Sequence, residues 1–374
     1  MELSKRLSSR IVVVGGGYGG ITAAKALDDV ADVTLVEPRE TFVHNVAALR
    51  AAVRPEWVPR LFIRYDGLLA RGRVVRDRAA SVRPGAVELE SGEVLPADYI
   101  VLATGTTYPF PAKIDTTDAA AAADRLHRLR GELERASGVL LLGAGPVGLE
   151  FAGEIAAEWP GKPVTVVDPH ADLVSGRFPG EFRARLREQL AGLGVRLLLG
   201  TSLAEPPATA PGLVAPFTVR TRSGDVVAAD LWFACHGAAT GTGYLGAELA
   251  GARRADGRLE VTEHLRVAGQ ETVFAVGDVT GVPEMKTGRL AQQHAEVAAA
   301  NIRRLIEGDS QLQVYAPQPD AIVLPLGPAG GMSYAPEAGV LGPQETAQIK
   351  ATFFIEGYLD LLGAADAAML PSGS

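Results

Sequence analysis

Two stretches of the chain share one alternation of apolar runs, glycine turns and amphipathic segments. The first, residues 11–38, reads IVVVGGGYGGITAAKALDDVADVTLVEP. A short, uninterrupted apolar run predicts a strand buried on both faces, and apolar positions at helical spacing predict a helix packed on it. The pattern therefore predicts a strand, a turn, a helix and a second strand in succession.

Gly15, Gly17 and Gly20 have the spacing of a dinucleotide-binding turn. In such a turn the first glycine permits the sharp bend, the second lets the backbone approach a pyrophosphate, and the third lets helix and strand pack closely. Unpaired N–H groups at the start of the helix then favour the anion. Glu37 ends the second strand, where a carboxylate binds the hydroxyls of an adenosine ribose.

The second stretch, residues 138–169, repeats this order, with Gly143, Gly145 and Gly148 in the turn and Asp168 at the end. A later segment repeats as well, because ADLWFACHGAAT echoes ADYIVLATGTTY almost position for position. A duplicated unit of this kind predicts two nucleotide-binding domains.

One further strand, VFAVGDV, has no counterpart in the second copy, so we expect the second domain to interrupt the first. The predicted fold class is α/β, with two Rossmann-like dinucleotide-binding domains and a small C-terminal α+β cap. The predicted limits are 1–112 and 241–318 for the first domain, 113–240 for the second and 319–374 for the cap.

Composition narrows the function. The 374 residues carry a net charge of −8, which argues against general nucleic-acid binding. The single cysteine, Cys235, excludes an intrachain disulfide and a catalytic dithiol. The six histidines are dispersed and no C-x-x-C motif occurs, so we expect no metal site. Without a secretory signal, a myristoylation glycine or a membrane-spanning segment, the expected location is the cytoplasm.

Two adenine dinucleotide sites in one chain predict a bound flavin and a nicotinamide that reduces it. We assign FAD to the first domain, where Thr104 and Gly105 form a sharp turn and Asp278 ends the extra strand. NAD(P)H is assigned to the second domain. The carboxylate of Asp168 repels a 2′-phosphate and so favours NADH, with NADPH as the alternative because His170 and Arg177 lie nearby.

Two residues have competing interpretations. Glu150 follows the third glycine of the second turn, where it could complement the positive end of the helix dipole. It could instead face the flavin and accept a hydrogen bond from the nicotinamide carboxamide, which is the interpretation we favour. His44 could donate a proton or simply pack beside the flavin.

The chain resembles the FAD-dependent pyridine nucleotide oxidoreductases of glutathione-reductase-like fold. It is most similar to the branch of ferroptosis suppressor proteins and apoptosis-inducing-factor homologues, near the type II NADH:quinone dehydrogenases. The resemblance extends from residue 10 to about 310. It is carried by IVVVGGGYGGITAA, FVHNVAALRAAV, LATGTTYPFP, GAGPVGLEFAGEI, EHLRV with VFAVGDV, and LAQQHAEVAAANI.

The resemblance implies NAD(P)H:quinone oxidoreductase activity with FAD as the hydride relay. It places the acid beside the nicotinamide at Glu150 and a basic residue at Lys286, which together would form a fixed charge couple; an ordinary surface lysine is the alternative. The implied FAD contacts are Gly15, Gly17, Gly20, Glu37, Asn45, Thr104, Gly105 and Asp278.

The tail departs from the resemblance. Where the family carries an aromatic–lysine pair near the quinone, this chain has FFIEGYLDLL, and it lacks a basic amphipathic anchoring helix. A water-soluble quinone therefore stands beside a membrane quinone as the small-molecule acceptor, and a homodimer is the assembly to consider. The alternative functions are a biosynthetic enzyme that reduces an (epoxy)quinone, a ferredoxin or rubredoxin reductase, and an NADH-sensing flavoprotein.

Overall fold

The computed structural model describes residues 9–364 of the chain. The ends of the predicted first domain and cap, residues 1–8 and 365–374, lie outside the described residues. We number the strands in chain order: β1 (Arg10–Val14), β2 (Asp32–Val36), β3 (Thr41–Val43), β4 (Phe62–Arg64), β5 (Arg73–Val75), β6 (Ala79–Arg83), β7 (Ala86–Leu89), β8 (Val94–Pro96), β9 (Tyr99–Leu102), β10 (Val139–Leu142), β11 (Val164–Asp168), β12 (Val195–Leu199), β13 (Phe217–Arg220), β14 (Val226–Ala229), β15 (Leu231–Ala234), β16 (Val273–Ala275), β17 (Ile322–Pro325), β18 (Gly331–Ala335) and β19 (Gly339–Leu341).

The helices pack on the sheets and join their strands. Short 3₁₀ turns at Asn45–Ala47, Pro55–Leu61 and Gly277–Val279 supplement them. The α-helices are α1 (Tyr18–Leu27), α2 (Ala48–Val53), α3 (Ala119–Arg135), α4 (Pro146–Glu158), α5 (Gly180–Gly192), α6 (Ala247–Ala250), α7 (Gly288–Ile306), α8 (Pro343–Ile349) and α9 (Ile355–Leu362).

The first sheet has the order β16-β9-β1-β2-β5, with all strands parallel. Alternate residues of β1 enter different cores, because Ile11 and Val13 pack on one face of the sheet and Val12 and Val14 on the other. This two-sided burial explains the uninterrupted apolar run in the sequence. The central β1 lies between β9 and β2, so the chain leaves it at the crevice where α/β sheets bind ligands.

The second sheet has the order β12-β11-β10-β15 and is also parallel. Its central β10 corresponds to β1, its β11 to β2 and its β15 to β9. Among the described residues no strand of this sheet takes the place that β16 takes in the first. The predicted α/β class with two Rossmann-like units is confirmed, including the extra strand of the first unit.

Smaller sheets complete the molecule. A turn at Ser91–Gly92 joins β7 to β8 in a three-stranded antiparallel sheet with β6. Strand β13 pairs with β14 in a separate two-stranded antiparallel sheet. In the tail, β17, β18 and β19 form an antiparallel sheet beside α8, as the expected mixture of strand and helix requires.

Candidate functional site

The three glycines of the first turn have different roles. Gly15 has a φ of +102°, and a Cβ there would lie 2.6 Å from the carbonyl oxygen of Ala103. A Cβ on Gly20 would lie 1.8 Å from the carbonyl oxygen of Gly15. Gly17 differs, because a Cβ there meets no atom of the described residues within 4 Å. The outer glycines serve packing, whereas Gly17 leaves open space where a ligand can approach the backbone.

The second glycine turn repeats this geometry. A Cβ on Gly143, whose φ is +122°, would lie 2.7 Å from the carbonyl oxygen of Cys235. A Cβ on Gly148 would lie 2.0 Å from the carbonyl oxygen of Gly143, and one on Gly145 meets nothing within 4 Å. The chain therefore builds two equivalent open cradles at helix N-termini, each of which fits a pyrophosphate.

Each predicted ribose-binding acid is held by backbone N–H groups. Glu37, which is 5% exposed, accepts hydrogen bonds from Gly16 N at 2.7 Å and Arg39 N at 3.0 Å. Asp168 accepts from Ala144 N at 2.6 Å and from His170 N at 2.7 Å. Burial by itself would raise the pKa of Asp168, but these N–H donors hold it below its ordinary value. Both acids are therefore oriented before any nucleotide binds.

A cavity of about 1410 Å³ begins at the first glycine turn and reaches the tail. Gly20 and His44 do not line it. Neither do the glycines of the second turn, Gly143, Gly145 and Gly148, nor Asp168 at the end of β11. The sequence-predicted residues that line it are Gly15, Gly17, Glu37, Asn45, Thr104, Gly105, Glu150, Asp278 and Lys286.

Asp278 lies where the turn after β16 meets the cavity. Its carboxylate accepts a hydrogen bond from Thr106 Oγ1 at 2.8 Å and lies 3.4 Å from the ammonium of Lys113. Nothing in the sequence reasoning selected Lys113, although it closely follows the LATGTTYPFP turn. Nearby, Thr104 Oγ1 and Tyr244 Oη are 2.9 Å apart, so the wall here is polar and hydrogen-bonded.

Glu150 projects from α4 into the same cavity. It lies beyond the first helical turn, which contains no acid, so the interpretation as a dipole partner loses its main support. Its buried Oε1 has no hydrogen-bond partner among residues 9–364, and burial raises the pKa of this carboxyl to about 7. Glu150 thus presents an unpaired acceptor to whatever occupies the cavity.

The expected Glu150–Lys286 charge couple is not formed. Lys286 Nζ donates to the carbonyl oxygen of Val282 at 2.8 Å, and its charged neighbours include Glu284 and Asp278. The cations that lower the pKa of Glu150 are Lys350, which has the larger effect, and Arg50. Burial in turn lowers the pKa of Lys350. The sequence positions of Lys286 and Lys350 do not reveal which of the two lysines approaches Glu150, because that depends on how the tail packs against the second domain.

The tail places a lysine beside an aromatic ring at its end of the cavity. Lys350 Nζ lies 5.0 Å from the ring centroid of Phe353, so a lysine–aromatic pair does line this end of the cavity. The guanidinium of Arg50 also lies 5.0 Å from this ring. Lys350 precedes the FFIEGYLDLL stretch, so the lysine of this pair lies outside the segment that departs from the resemblance.

Arg50 and His44 are buried and make hydrogen bonds that support the tail end of the cavity. Arg50 Nε donates to Glu154 Oε2 at 2.6 Å, joining α2 to α4 through an ion pair with almost no exposure. His44 is fully buried, with Nε2 3.0 Å from the carbonyl oxygen of Phe353 and Nδ1 3.3 Å from Tyr18 Oη. Burial lowers the pKa of His44 to about 4. A neutral, enclosed imidazole favours the packing interpretation over proton donation.

The two turns and the cavity together define a class of protein. Two preoriented nucleotide cradles, one opening into a long cavity with unpaired acceptors at Glu150 Oε1 and Gln293 Oε1, are suited to a two-nucleotide oxidoreductase. Cys235, the single cysteine, lies outside the cavity lining, and burial raises its pKa to about 12. Electron transfer through a cysteine pair is therefore excluded.

Residues 9–300 match the family model for pyridine nucleotide-disulphide oxidoreductases, and the chain belongs to this family. It is thus an FAD-dependent oxidoreductase that uses a pyridine nucleotide. It is 33% identical to ferroptosis suppressor protein 1 of Taeniopygia guttata over 88% of this chain and 90% of that protein. It is 30% identical to apoptosis-inducing factor homolog B of Dictyostelium discoideum over 94% and 96%.

Solved structures share the fold. The sulfide:quinone oxidoreductase of Aquifex aeolicus superposes with a TM-score of 0.75 at 21% identity, covering 95% of this chain and 91% of that one. NDH2 of Plasmodium falciparum in complex with NADH gives 0.74 at 14% identity, covering 95% and 94%. Within residues 9–364, no helix combines the length and hydropathy needed to cross a bilayer.

Proposed function

We propose that this chain oxidises NADH and passes the electrons through FAD to a small quinone-like acceptor. One observation carries the proposal. A single cavity runs from the first glycine turn, past Glu150 on the helix of the second turn, to Lys350 and Phe354 of the tail. A flavin held by the first module can therefore lie within reach of both a nicotinamide and a separate acceptor.

In this proposal residues 1–112 and 241–318 bind FAD, residues 113–240 bind the pyridine nucleotide and residues 319–374 cover the acceptor end. FAD supplies the chemistry by accepting a hydride and releasing the electrons to the acceptor. The chain supplies binding and orientation. The residues assigned to FAD are Gly15, Gly17, Gly20, Glu37, Asn45, Thr104, Gly105 and Asp278, with Lys113 added from the structure.

The second module binds the reduced nucleotide through Gly143, Gly145, Gly148 and Asp168. The carboxylate of Asp168 supports NADH over NADPH, since it can accept a hydrogen bond from a 2′-hydroxyl but repels a 2′-phosphate. The free Oε1 of Glu150 accepts a hydrogen bond from the carboxamide and so holds the nicotinamide in a reactive orientation.

The chemistry of the cavity wall supports a planar, apolar acceptor. Its tail end is formed mainly by aliphatic and aromatic side chains, and Phe354 is 49% exposed at this end. Because the buried Cys235 cannot relay electrons, the acceptor has to take them directly from the flavin. The apolar and aromatic side chains at this end are Ile322, Val323, Tyr334, Ile349, Phe353, Phe354 and Tyr358.

The proposed location is the cytoplasm, and a homodimer is the assembly to examine by light scattering. The activity is tested by anaerobic stopped-flow absorbance on the purified flavoprotein. The first half-reaction compares NADH with NADPH at 450 nm, roughly the absorption maximum of an oxidised flavin. The second half-reaction mixes the reduced protein with a panel of quinones of increasing hydrophobicity.

We expect flavin reduction to be faster with NADH, and reoxidation by quinones to sustain many turnovers. Reduction by NADH without turnover on any quinone, together with a persistent long-wavelength band, would instead support the NADH-sensing alternative. Rapid reoxidation by a ferredoxin but by no quinone would support the protein-reductase alternative.

A further inference from the structure

A buried histidine outside the cavity lining contacts the turn that carries Asp278. His294 lies on α7 and is 1% exposed. Its Nδ1 accepts a hydrogen bond from Gly277 N at 3.1 Å, and its Nε2 lies 2.7 Å from Glu284 Oε1. A backbone N–H can only donate, so Nδ1 carries no proton and Nε2 donates to the carboxylate. The contacts therefore select one tautomer of the imidazole.

Glu284 completes this arrangement. Its side chain is 1% exposed, and it also accepts hydrogen bonds from Tyr315 Oη and from Gln318 N, each at 2.8 Å. Burial alone would raise the pKa of Glu284, but the donors from His294, Gln318 and Tyr315 hold it below its ordinary value. A carboxylate with three donors is a fixed acceptor for His294.

These contacts connect three segments of the cavity wall. Gly277 and Asp278 follow β16, Lys286 lies two residues after Glu284, and Gln318 lies in the link to the cap; all but Glu284 line the cavity. Gly277 has a φ of +73°, and a Cβ there would lie 2.9 Å from the Cβ of Ala291. The turn is thus pressed against α7, one helical turn before His294.

We propose that His294 is a positioning residue, which acts through Gly277 to hold Asp278 against the bound flavin cofactor, with Glu284 fixing the required tautomer. The inference rests on the assignment of Asp278 to FAD in the proposed function. It does not depend on the identity of the electron acceptor. Losing the acceptor at Nδ1 leaves the N–H of Gly277 buried without a partner, which displaces the turn.

The test measures FAD release from the holoprotein after dilution, followed by the fluorescence of free FAD. In His294→Phe the ring remains but the acceptor is lost, and we expect release to accelerate about tenfold, the effect of one buried hydrogen bond. His294→Gln provides an acceptor and a donor on one amide, so it restores release to within about threefold of the wild type. In His294→Phe we also expect a shift in the visible spectrum of the bound flavin, because the acceptor for Gly277 N is lost.

The control is His264→Phe, because His264 also makes a hydrogen bond to the backbone, with Nδ1 3.1 Å from the carbonyl oxygen of Gln313, but does not line the cavity. We expect this variant to release FAD at the wild-type rate. His294→Ala provides a second test if the phenylalanine variant does not fold.

Wild-type release rates and spectra in both His294→Phe and His294→Ala would overturn the inference, even if their melting temperatures fell. Equal acceleration in His294→Phe and His294→Gln would overturn it as well. Absence of quinone turnover in the wild type would instead refute the proposed function and leave the FAD-release result intact.

Discussion

The two glycine turns of this protein have nearly the same geometry but different surroundings. In both, the outer glycines press against backbone oxygens and the middle glycine leaves open space. In both, a carboxylate at the end of the neighbouring strand accepts a hydrogen bond from the turn, at Gly16 N or at Ala144 N. The turn itself therefore does not decide which nucleotide stays bound and which exchanges.

The surroundings differ. The first turn opens into the large cavity, which Asp278 after the extra strand β16 helps to enclose, whereas the described part of the second sheet has no such strand. Two residues after the third glycine the first module has Thr22, whose hydroxyl donates back to Tyr18 O at 2.9 Å. The second module has Glu150 there, with a free acceptor in the cavity. Enclosure suits a resident cofactor, and a free acceptor suits a nucleotide that arrives and leaves.

We expect the largest effects on flavin binding and flavin reduction when a side chain is introduced at the middle glycine of either turn. Gly17 and Gly145 have φ values of −77° and −76°, which any residue adopts, and a Cβ meets no protein atom at either position. We expect Gly17→Val to purify without flavin. Gly145→Val should keep its flavin, but subsaturating NADH should reduce that flavin at least about 100-fold more slowly than in the wild type.

Flavin absorbance at about 450 nm measures flavin retention, and stopped-flow absorbance measures the rate of flavin reduction by NADH. Thermal melting of both variants provides the control for folding. Loss of flavin from Gly145→Val with retention in Gly17→Val would reverse the assignment of the two modules.

The next effect concerns the position where the modules diverge. We expect Glu150→Gln to slow flavin reduction by about tenfold or more, because an amide is a weaker acceptor for the carboxamide. The wild-type rate should rise with pH through about 7, because the carboxyl is protonated below this pKa and ionised above it. The rate in Glu150→Gln should lack this rise.

Stopped-flow reduction across pH 5.5 to 8.5, an interval chosen to bracket roughly the Glu150 transition, checks this prediction. Thr22→Val is the matched control, since it alters the equivalent helix position of the first module. A pH profile unchanged in Glu150→Gln would remove Glu150 from the reaction.

A third prediction addresses the junction between the modules. Removing one partner of the buried Arg50–Glu154 pair leaves an uncompensated charge, so Arg50→Met should lower the free energy of unfolding by about 3–5 kcal/mol. The double change Arg50→Met with Glu154→Met should recover much of this loss, since no buried charge remains. Denaturant unfolding of the holoproteins measures both. A double variant no more stable than Arg50→Met would show that cation–π contacts to Trp57 and Phe353 matter more than the ion pair.

The smallest effect is expected in nucleotide preference. Asp168→Asn removes the charge that repels a 2′-phosphate but keeps an acceptor for the backbone, so the preference for NADH over NADPH should narrow by about tenfold. The ratio of flavin-reduction rates with the two nucleotides measures it. His170→Ala tests whether the exposed imidazole contributes separately. An unchanged ratio in Asp168→Asn would exclude Asp168 as the determinant.

The strands, the helices and both glycine turns were predictable because their signals are local. The run Ile11–Val14 is apolar because both faces of β1 are covered, and Gly20 is a glycine because its α-carbon faces the oxygen of Gly15. The position of Glu150 relative to its glycines is likewise a local property of α4. Such features follow from neighbouring residues and the geometry of a strand, a turn and a helix.

The partners of these residues were not predictable in the same way. Lys350 is far from Glu150 in sequence and approaches it only because the cap folds over the second module. Lys286 was the expected partner of Glu150, but its ammonium donates to the carbonyl oxygen of Val282. His44 is buried, and its Nε2 contacts the carbonyl oxygen of Phe353. Lys113 reaches Asp278 only after the chain returns to the first sheet through β16.

The two nucleotide cradles of this protein follow from short-range sequence, because each is built from one strand–turn–helix unit whose glycine spacing is dictated by steric contact. Which charges face one another across the cavity follows instead from the packing of distant segments. Electrostatic pairing depends on distances between segments that are remote in the chain, and those distances are set by how the domains and the cap pack together.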